Sequence, residues 1–397
     1  MTKPIHLEGT TLEGGGQLLR IAIGLSSLTK IPIHITNIRG KRSGGGGLKA
    51  QHLTSVQWLG KASNAKLSGA GLKSKEITFA PHKKNREYPT NAHISQSTPG
   101  SINLVLQAIL PYILFSWTEE PVRICITGGT NVSNSPSYDY ASEVLLPMLS
   151  KIGMAVESQL HSRGWSTGSA RLGSATYNIT PLQASLPAFR FDERGDIHSI
   201  KAIALAPKAC ESHLRKELQV MFSKRREALF DTNHNPEIEV EFEDSHHDKR
   251  FYLLLVATTT TGMKLGRDWL YDHGFRAGKI DYIISSLVKK VMNDLISEIE
   301  HGGCVDGYLR DQLVIYQALA KGKSVVDGGC KKGELVRPSL HTQTAHWVVN
   351  EVLGVQFEED GSCEGIAFVP SKGRLTSGRE KELVKGIKKL DIDVDEG

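Results

Sequence analysis

Several features that define other protein classes are scarce or missing in this 397-residue chain. The five cysteines (Cys125, Cys210, Cys304, Cys330 and Cys363) are scattered and odd in number, with no close metal-ligand pair. That pattern excludes a disulfide framework and predicts reduced thiols in an intracellular compartment. No apolar run is long enough to span a bilayer, so no membrane partner is expected. The start, Met1 to His6, has no signal-peptide core and runs into a first strand. The net charge of +5 is small, which permits a polyanionic partner without demanding one. Hydrophobic residues at 39% and charged residues at 23% suit a globular protein, and the length calls for two or more structural units.

What the chain does have begins at Glu13-Gly14-Gly15-Gly16-Gln17-Leu18-Leu19-Arg20. Leu18, Leu19, Ile21, Ala22, Leu25 and Leu28 follow a helical period and predict a mostly buried helix. Consecutive glycines before a helix lose much backbone freedom on folding, so something must approach the backbone there. A helix N-terminus offers free N–H groups to a phosphate. Glu13 could hold a divalent metal and Arg20 a phosphate oxygen. The alternative is a plain tight turn between strand and helix.

Strands and helices alternate onward. A strand is predicted over 31–38, a basic glycine-rich loop over 39–47, a helix over 48–65 and strands near 66–68 and 76–80. The pattern then restarts: a helix opens at Thr98-Pro99-Gly100-Ser101, a strand covers 122–126 and a helix 138–152. A third round contains helices at 280–299, 307–320 and 339–353, then a strand at 355–357. We read this as α/β (α+β) architecture in repeated βαβα-plus-strands units, rather than as a doubly wound sheet. Residues 192–274 break the rhythm and predict a small α/β insert within a core of 1–191 and 275–360, followed by a charged tail at 371–397. His246 and His247 lie in a polar run read as a solvated hairpin tip.

The helix starts at Gly14–Gln17, Pro99–Ser101 and His341 could converge on one cleft and supply several anion-binding dipoles. His341 falls in the first turn of its helix behind Ser339 as N-cap, where the dipole disfavours the imidazolium. A neutral imidazole there can act as nucleophile or base; a surface or capping histidine is the alternative. Tyr308, Asp311 and Gln312 could stack on a base and hydrogen-bond an adenine edge or ribose, or could be polar residues at a helix start. Arg39, Lys41, Arg42 and Lys49 make a dense basic loop suited to a phosphodiester or terminal phosphate.

At these residues the chain resembles the RNA 3′-terminal phosphate cyclase family. The matching stretches are Glu13 to Arg20, Ile38-Arg39, Gln51-His52-Leu53, Gly100-Ser101 with Leu104 to Gln107, Gly128-Gly129-Thr130, Glu193-Arg194-Gly195, Tyr308 to Leu313, and Pro338-Ser339 with His341. They keep the family's order over roughly residues 5 to 358. The resemblance implies repeated βαβαββ units, as in the related enolpyruvate transferases, with a small insert. It also implies ATP-dependent conversion of an RNA 3′-phosphate to a 2′,3′-cyclic phosphate through a covalent histidyl–AMP. His341 matches the nucleophile and Glu13 a carboxylate that holds Mg2+ or Mn2+. Gln107, Pro136, Tyr308, Asp311 and Gln312 match the nucleotide pocket, joined by Gly15, Gly16 and Arg20 at the phosphates. Arg39, Arg42 and Gln51 match contacts to the RNA 3′-phosphate. The partners expected are ATP and RNA, in nucleus (nucleoplasm) or cytoplasm.

The chain also departs from the family. A Pro-x-Gly-Gly-Gly signature is replaced by Arg163-Gly164-Trp165-Ser166-Thr167-Gly168-Ser169-Ala170-Arg171-Leu172-Gly173. Gly44–Gly47 stand where Pro-Gly is usual, and Asn131 where an aspartate follows Gly-Gly-Thr. A non-catalytic branch of the fold serves ribosome biogenesis and rRNA processing but lacks the nucleophilic histidine, so His341 argues for the enzyme. An enolpyruvate transferase would share the units and leave His341 unexplained.

Overall fold

The computed structural model describes residues 3–42, 44–82, 90–115, 118–230, 237–274 and 278–370. The charged tail expected over 371–397 lies outside them. The first unit runs β1 (Ile5–Glu8), α1 (Gly16–Thr29), β2 (Ile33–Thr36), α2 (Ala50–Ala62), β3 (Lys66–Ser68) and β4 (Ile77–Ala80). Its sheet has the order β1-β2-β4-β3: β1 and β2 are parallel across α1, and β4 returns antiparallel to both β2 and β3. Parallel neighbours need a crossover whereas antiparallel ones need only a turn, and this unit uses one of each.

The second unit repeats that plan. It comprises β5 (Asn91–Ser95), α3 (Ile102–Leu114), β6 (Val122–Gly128), α4 (Tyr138–Tyr140), a π-helical stretch (Ala141–Leu145), α5 (Leu146–Lys151), β7 (Val156–Ser162) and β8 (Gly173–Ile179). Its order, β5-β6-β8-β7, with β5 parallel to β6 and β8 antiparallel to β6 and β7, is the first unit's order again. The repeat therefore resides in register and burial pattern, where alternating apolar residues face one core, and needs little residue identity.

A third, shorter unit starts at β9 (Arg190–Phe191) and is interrupted by the insert. There β10 (Ile197–Ala206), α6 (Glu211–Lys224), α7 (Arg226–Leu229), β11 (Glu237–Asp244), β12 (Tyr252–Thr259) and β13 (Lys264–Leu270) build a sheet of order β11-β10-β12-β13. Successive β12 residues separate by face. Leu253, Leu255 and Ala257 join a second apolar core, whereas Tyr252, Leu254 and Val256 join the main one. The helix α8 (Ile280–Glu300) lies past the 192–274 range in sequence but packs on this insert sheet: Ile283, Leu287, Val291 and Leu295 belong to the second core. The third unit then resumes with α9 (Gly307–Leu319), β14 (Lys321–Val326), the hairpin β15 (Cys330–Lys331) and β16 (Glu334–Leu335), α10 (Leu340–Leu353) and β17 (Cys363–Ile366). β14 pairs parallel with β9 and antiparallel with β17.

One strand expected from sequence is not formed. Residues 355–357 have no ladder partner, and the last strand is β17 instead. In the complete units the third strand pairs only with its hairpin partner. Here a short turn, with the Glu358 N–H on the Ser362 carbonyl at 2.8 Å, carries the chain directly to β17. Phe357 packs on α10, its ring stacked on His346 at 3.9 Å and 8°.

The helices of the units pack on one another: α1 against α2, α3 and α10, and α9 against α3 and α10. From Gln17 to Thr29 every residue of α1 is buried. This crowding brings four helix starts to one region.

Candidate active site

The turn before α1 is shaped by Leu12 and Gly14, both left-handed (φ +51° and +62°). It hangs on α10. The Glu13 N–H donates to Thr344 Oγ1 (3.2 Å), and that hydroxyl donates to the Leu340 carbonyl (2.7 Å). Thr344 is fully buried and fixes the distance between the glycine turn and His341, one turn earlier on the same helix. The sequence reading missed Thr344, because a threonine inside a helix carries no motif.

What approaches the glycines is largely the protein's own side chains. The Gly15 N–H donates to Glu13 Oε2 (2.7 Å), and the other carboxylate oxygen pairs with Arg42. A Cβ on Gly16 would sit 2.6 Å from His52 Nε2 and 2.7 Å from Arg20 Nη1, closer than real side chains come. Gly15 is the N-cap of α1 and offers no side chain to cap it, so the helix start stays available to an anion.

Arg20 is the hub. It is 7% exposed, its Nε donates to Gln107 Oε1 (2.8 Å) and its Nη2 to Gln17 Oε1 (3.2 Å). Burial brings its pKa down to about 10, while Asp311 acts in the opposite sense. Asp311 itself is pushed up to about 7, by burial first, against the opposing effects of Gln17 and Arg20. Thus Arg20 from α1, Gln107 from α3 and Asp311 from α9 share one locale, as three helices of the repeat converge.

His341 is open to solvent at the start of α10, where Ser339 Oγ accepts the Thr342 N–H (3.1 Å). Its pKa is lowered from 6.5 by partial withdrawal of the ring from water and then by the charges of Arg20 and Arg42. The imidazolium is therefore disfavoured, and two arginines join the helix dipole in that effect.

Gln51 and His52 open α2. Gln51 Oε1 accepts the Ser101 N–H (3.2 Å), tying the start of α2 to the start of α3. His52, 3% exposed, was noted only as part of a motif. Its Nδ1 accepts the Lys49 N–H (3.3 Å), which leaves the proton on Nε2 beside Gly16 and Arg20. Burial first, then Arg20, Arg39 and Lys49, drive its pKa from 6.5 down to about 3. A histidine depressed in the folded state adds stability that is intact above 6.5 and is lost as pH falls from 6.5 towards 3. The loss has a limiting slope of about 1.4 kcal/mol per pH unit. Urea unfolding at pH 7 and pH 5 is expected to show a drop of about 2 kcal/mol from this group, reduced in His52→Gln. An equal drop in both proteins would count against a buried neutral His52.

The nucleotide residues expected on α9 follow Asp306, which is fully buried as the N-cap. Its Oδ1 accepts the N–H groups of Tyr308 and Leu309 and the Tyr140 hydroxyl (2.8 Å), and its Oδ2 the Gly266 N–H (2.8 Å). One carboxylate thus joins α9, the second unit and the insert. The Asp-Gly pair before an apolar period was the available signal. Tyr308 is 38% exposed, with the Arg267 guanidinium 4.1 Å over its ring and Tyr140 edge-on at 5.6 Å, so one face is already covered. Gln312 is buried and reaches the Tyr308 carbonyl at 3.5 Å. The Pro136 carbonyl is held by Asn103 Nδ2 (3.1 Å). Arg39, 7% exposed and left-handed, donates to the Gly47 carbonyl (3.2 Å), and Arg42 remains on an exposed stem.

Asn131 is fully buried and donates to Asp139 (3.3 Å), while Arg163 joins Asp139 (2.6 Å) to Glu243 of the insert (2.7 Å). A second carboxylate at 131 would repel Asp139, whereas the amide can donate to it.

Among the described residues no three His, Cys, Asp or Glu side chains gather as a metal set, and no helix is long and apolar enough to cross a membrane. The family model described as RNA 3′-terminal phosphate cyclase matches residues 11–358. An RNA 3′-terminal phosphate cyclase of Staphylothermus marinus is 34% identical, covering 81% of this chain and 86% of the relative. Another of that name, from Pyrococcus furiosus, is 32% identical over 90% of this chain and 95% of its own. One from Drosophila melanogaster is 30% identical over 92% and 98%. The ordered motifs, the twice-repeated βαβαββ topology and these matches agree: the chain belongs to the RNA 3′-terminal phosphate cyclase family.

Proposed function

We propose that this protein converts an RNA 3′-phosphate to a 2′,3′-cyclic phosphate at the expense of ATP, through a covalent histidyl–AMP on His341. The observation that carries this reading is a solvent-open His341, its imidazolium disfavoured by Arg20 and Arg42, on a helix pinned to the Glu13 turn by Thr344. An imidazole nitrogen attacks the α-phosphorus; the P–N bond forms as the bond to the bridging oxygen breaks and pyrophosphate leaves. An oxygen of the RNA 3′-phosphate then displaces the histidine, giving an RNA-pp-adenosine anhydride. The terminal 2′-hydroxyl loses its proton and attacks the 3′-phosphorus, and AMP leaves with the bonding electrons.

Arg20 and the open start of α1 bind charge that grows on the phosphates, a role that fixed donors fill at no cost of reorganisation. Tyr308, Asp311, Gln312, Gln107 and the Pro136 segment surround the nucleoside, and Arg39, Arg42 and Gln51 receive the RNA end. Glu13 suits a magnesium or manganese ion, which takes one or two carboxylates and fills its sphere with phosphate oxygens and water. The Arg42 stem is exposed, so Arg42 can exchange Glu13 for a phosphate. Such an ion would offset triphosphate charge and assist the leaving pyrophosphate.

The test is incubation with ATP labelled at the α-phosphate, followed by denaturation. Label should stay on the protein, and a 3′-phosphorylated RNA should become resistant to phosphatase. Absence of label together with phosphatase-sensitive ends would sink the proposal.

A further inference from the structure

The loop that replaces the family's glycine run has a structure of its own. Trp165 and Arg171 exchange backbone hydrogen bonds (2.8 and 3.1 Å), so residues 166–170 are looped out between them. On one side this loop holds the segment that leads to Pro136: the Ser133 N–H donates to Ser166 Oγ (3.1 Å), and the Ser166 N–H to the Asn131 carbonyl (3.3 Å). On the other side it meets the insert. The Arg250 guanidinium lies 5.2 Å over the Trp165 ring and donates to the Ser169 carbonyl (2.8 Å). Gly168, left-handed at φ +57°, permits this approach, since a Cβ there would stand 3.1 Å from Arg250 Cγ and 3.0 Å from His247 Nδ1.

Carbonyls and a ring meet the Arg250 guanidinium, its Nη1 also reaching the Ser245 carbonyl (3.4 Å), but among the described residues no carboxylate pairs with it. Arg250 is 4% exposed and its Nε has no hydrogen-bond partner among the described residues; the buried Thr167 hydroxyl has none either. Among the described residues no carboxylate lies within ion-pair distance of Arg250 or Arg171. A buried cation without a counter-ion, beside a second cation, is unfavourable, and an oxyanion at the rim offsets that repulsion. Burial first, and the nearby charge of Arg171 second, lower the Arg250 pKa, in keeping with that deficit. The rim is open: Ser169, Ala170, Arg171 and Leu172 are exposed, so a continuous chain can pass over it.

We propose that the exposed Arg171, with the charge of the buried Arg250 behind it, binds a backbone phosphate of the RNA upstream of its 3′ end. This rests on the reading of the substrate given above. The departure from the glycine signature then trades a bare glycine loop for one that contacts the RNA through its backbone without reading bases.

The experiment compares binding of a 12-nucleotide RNA and of a dinucleotide, both ending in 3′-phosphate, across a salt titration. Arg171→Glu is expected to raise Kd for the 12-mer about tenfold and to reduce the salt slope by about 0.7, the value for one phosphate on a single strand. The dinucleotide Kd should change less than about twofold, and Arg171→Lys should hold the 12-mer within about threefold of wild type. Wild-type binding that Arg171→Glu leaves intact, or equal loss for both lengths, overturns this proposal alone. Wild-type protein that holds neither RNA overturns it together with the proposed function.

Discussion

His341→Ala should lose all retained label from ATP, a fall on the order of 10⁴-fold or more, because a deleted nucleophile leaves only binding and electrostatic effects behind. The fold should survive. His341 is solvent-open in a first helical turn, and substitutions at such places usually change stability by less than about 0.5 kcal/mol. Unfolding of this variant, or undiminished labelling, would remove His341 from the mechanism. A pH profile adds an independent check. Since His341 titrates below 6.5, the labelling rate of the wild type should rise with pH and level off below that value. Arg42→Gln removes one of the cations that lowers this pKa, so its rise should move to higher pH. A profile that stays in place would show that Arg42 does not act on His341.

The first two units could be read because their information is local. Glycine turns, caps and apolar periods mark α1, α2 and α3 within windows of about a dozen residues. The same locality explains the misplaced final strand. Val355, Gln356 and Phe357 carry a strand's composition, but whether they pair depends on a turn at 358–362 and on the His346 ring that Phe357 covers. The packing of α8 on the insert was illegible for a similar reason: its apolar stripe shows that it packs, not on which sheet. In the site, the sequence singles out residues with strong motif signals and gives Thr344, His52 and Asp306 no role. Thr344 and Asp306 hold other groups through hydrogen bonds across many residues in sequence, and His52 lies beside Gly16 and Arg20 of another helix; no spacing reports either.

Arg20 should be nearly as costly to replace as His341, for reasons that separate stability from activity. Arg20→Met removes the donor to Gln107 and Gln17 and one of the groups that hold the Asp311 pKa down. Leaving buried amide oxygens without their donor costs about 1–3 kcal/mol each, and labelling should fall by about 10²–10³-fold with a phosphate donor gone. The pH dependence has a definite sign. Asp311 already has a folded pKa of about 7, above its unfolded 3.8. Its contribution is therefore fully present below 3.8 and is lost as pH rises through 7. Without Arg20 that folded pKa rises further, so the deficit of Arg20→Met should widen from pH 6 to pH 9. Adding Asp311→Asn, which cannot ionise, should recover much of the stability and none of the labelling. Arg20→Lys should fold but label poorly, because one ammonium cannot hold two amide oxygens and also present a fork to a phosphate. A fully active Arg20→Lys would show that Arg20 is not a phosphate fork, and a double variant no more stable than Arg20→Met that its charge does not act on Asp311.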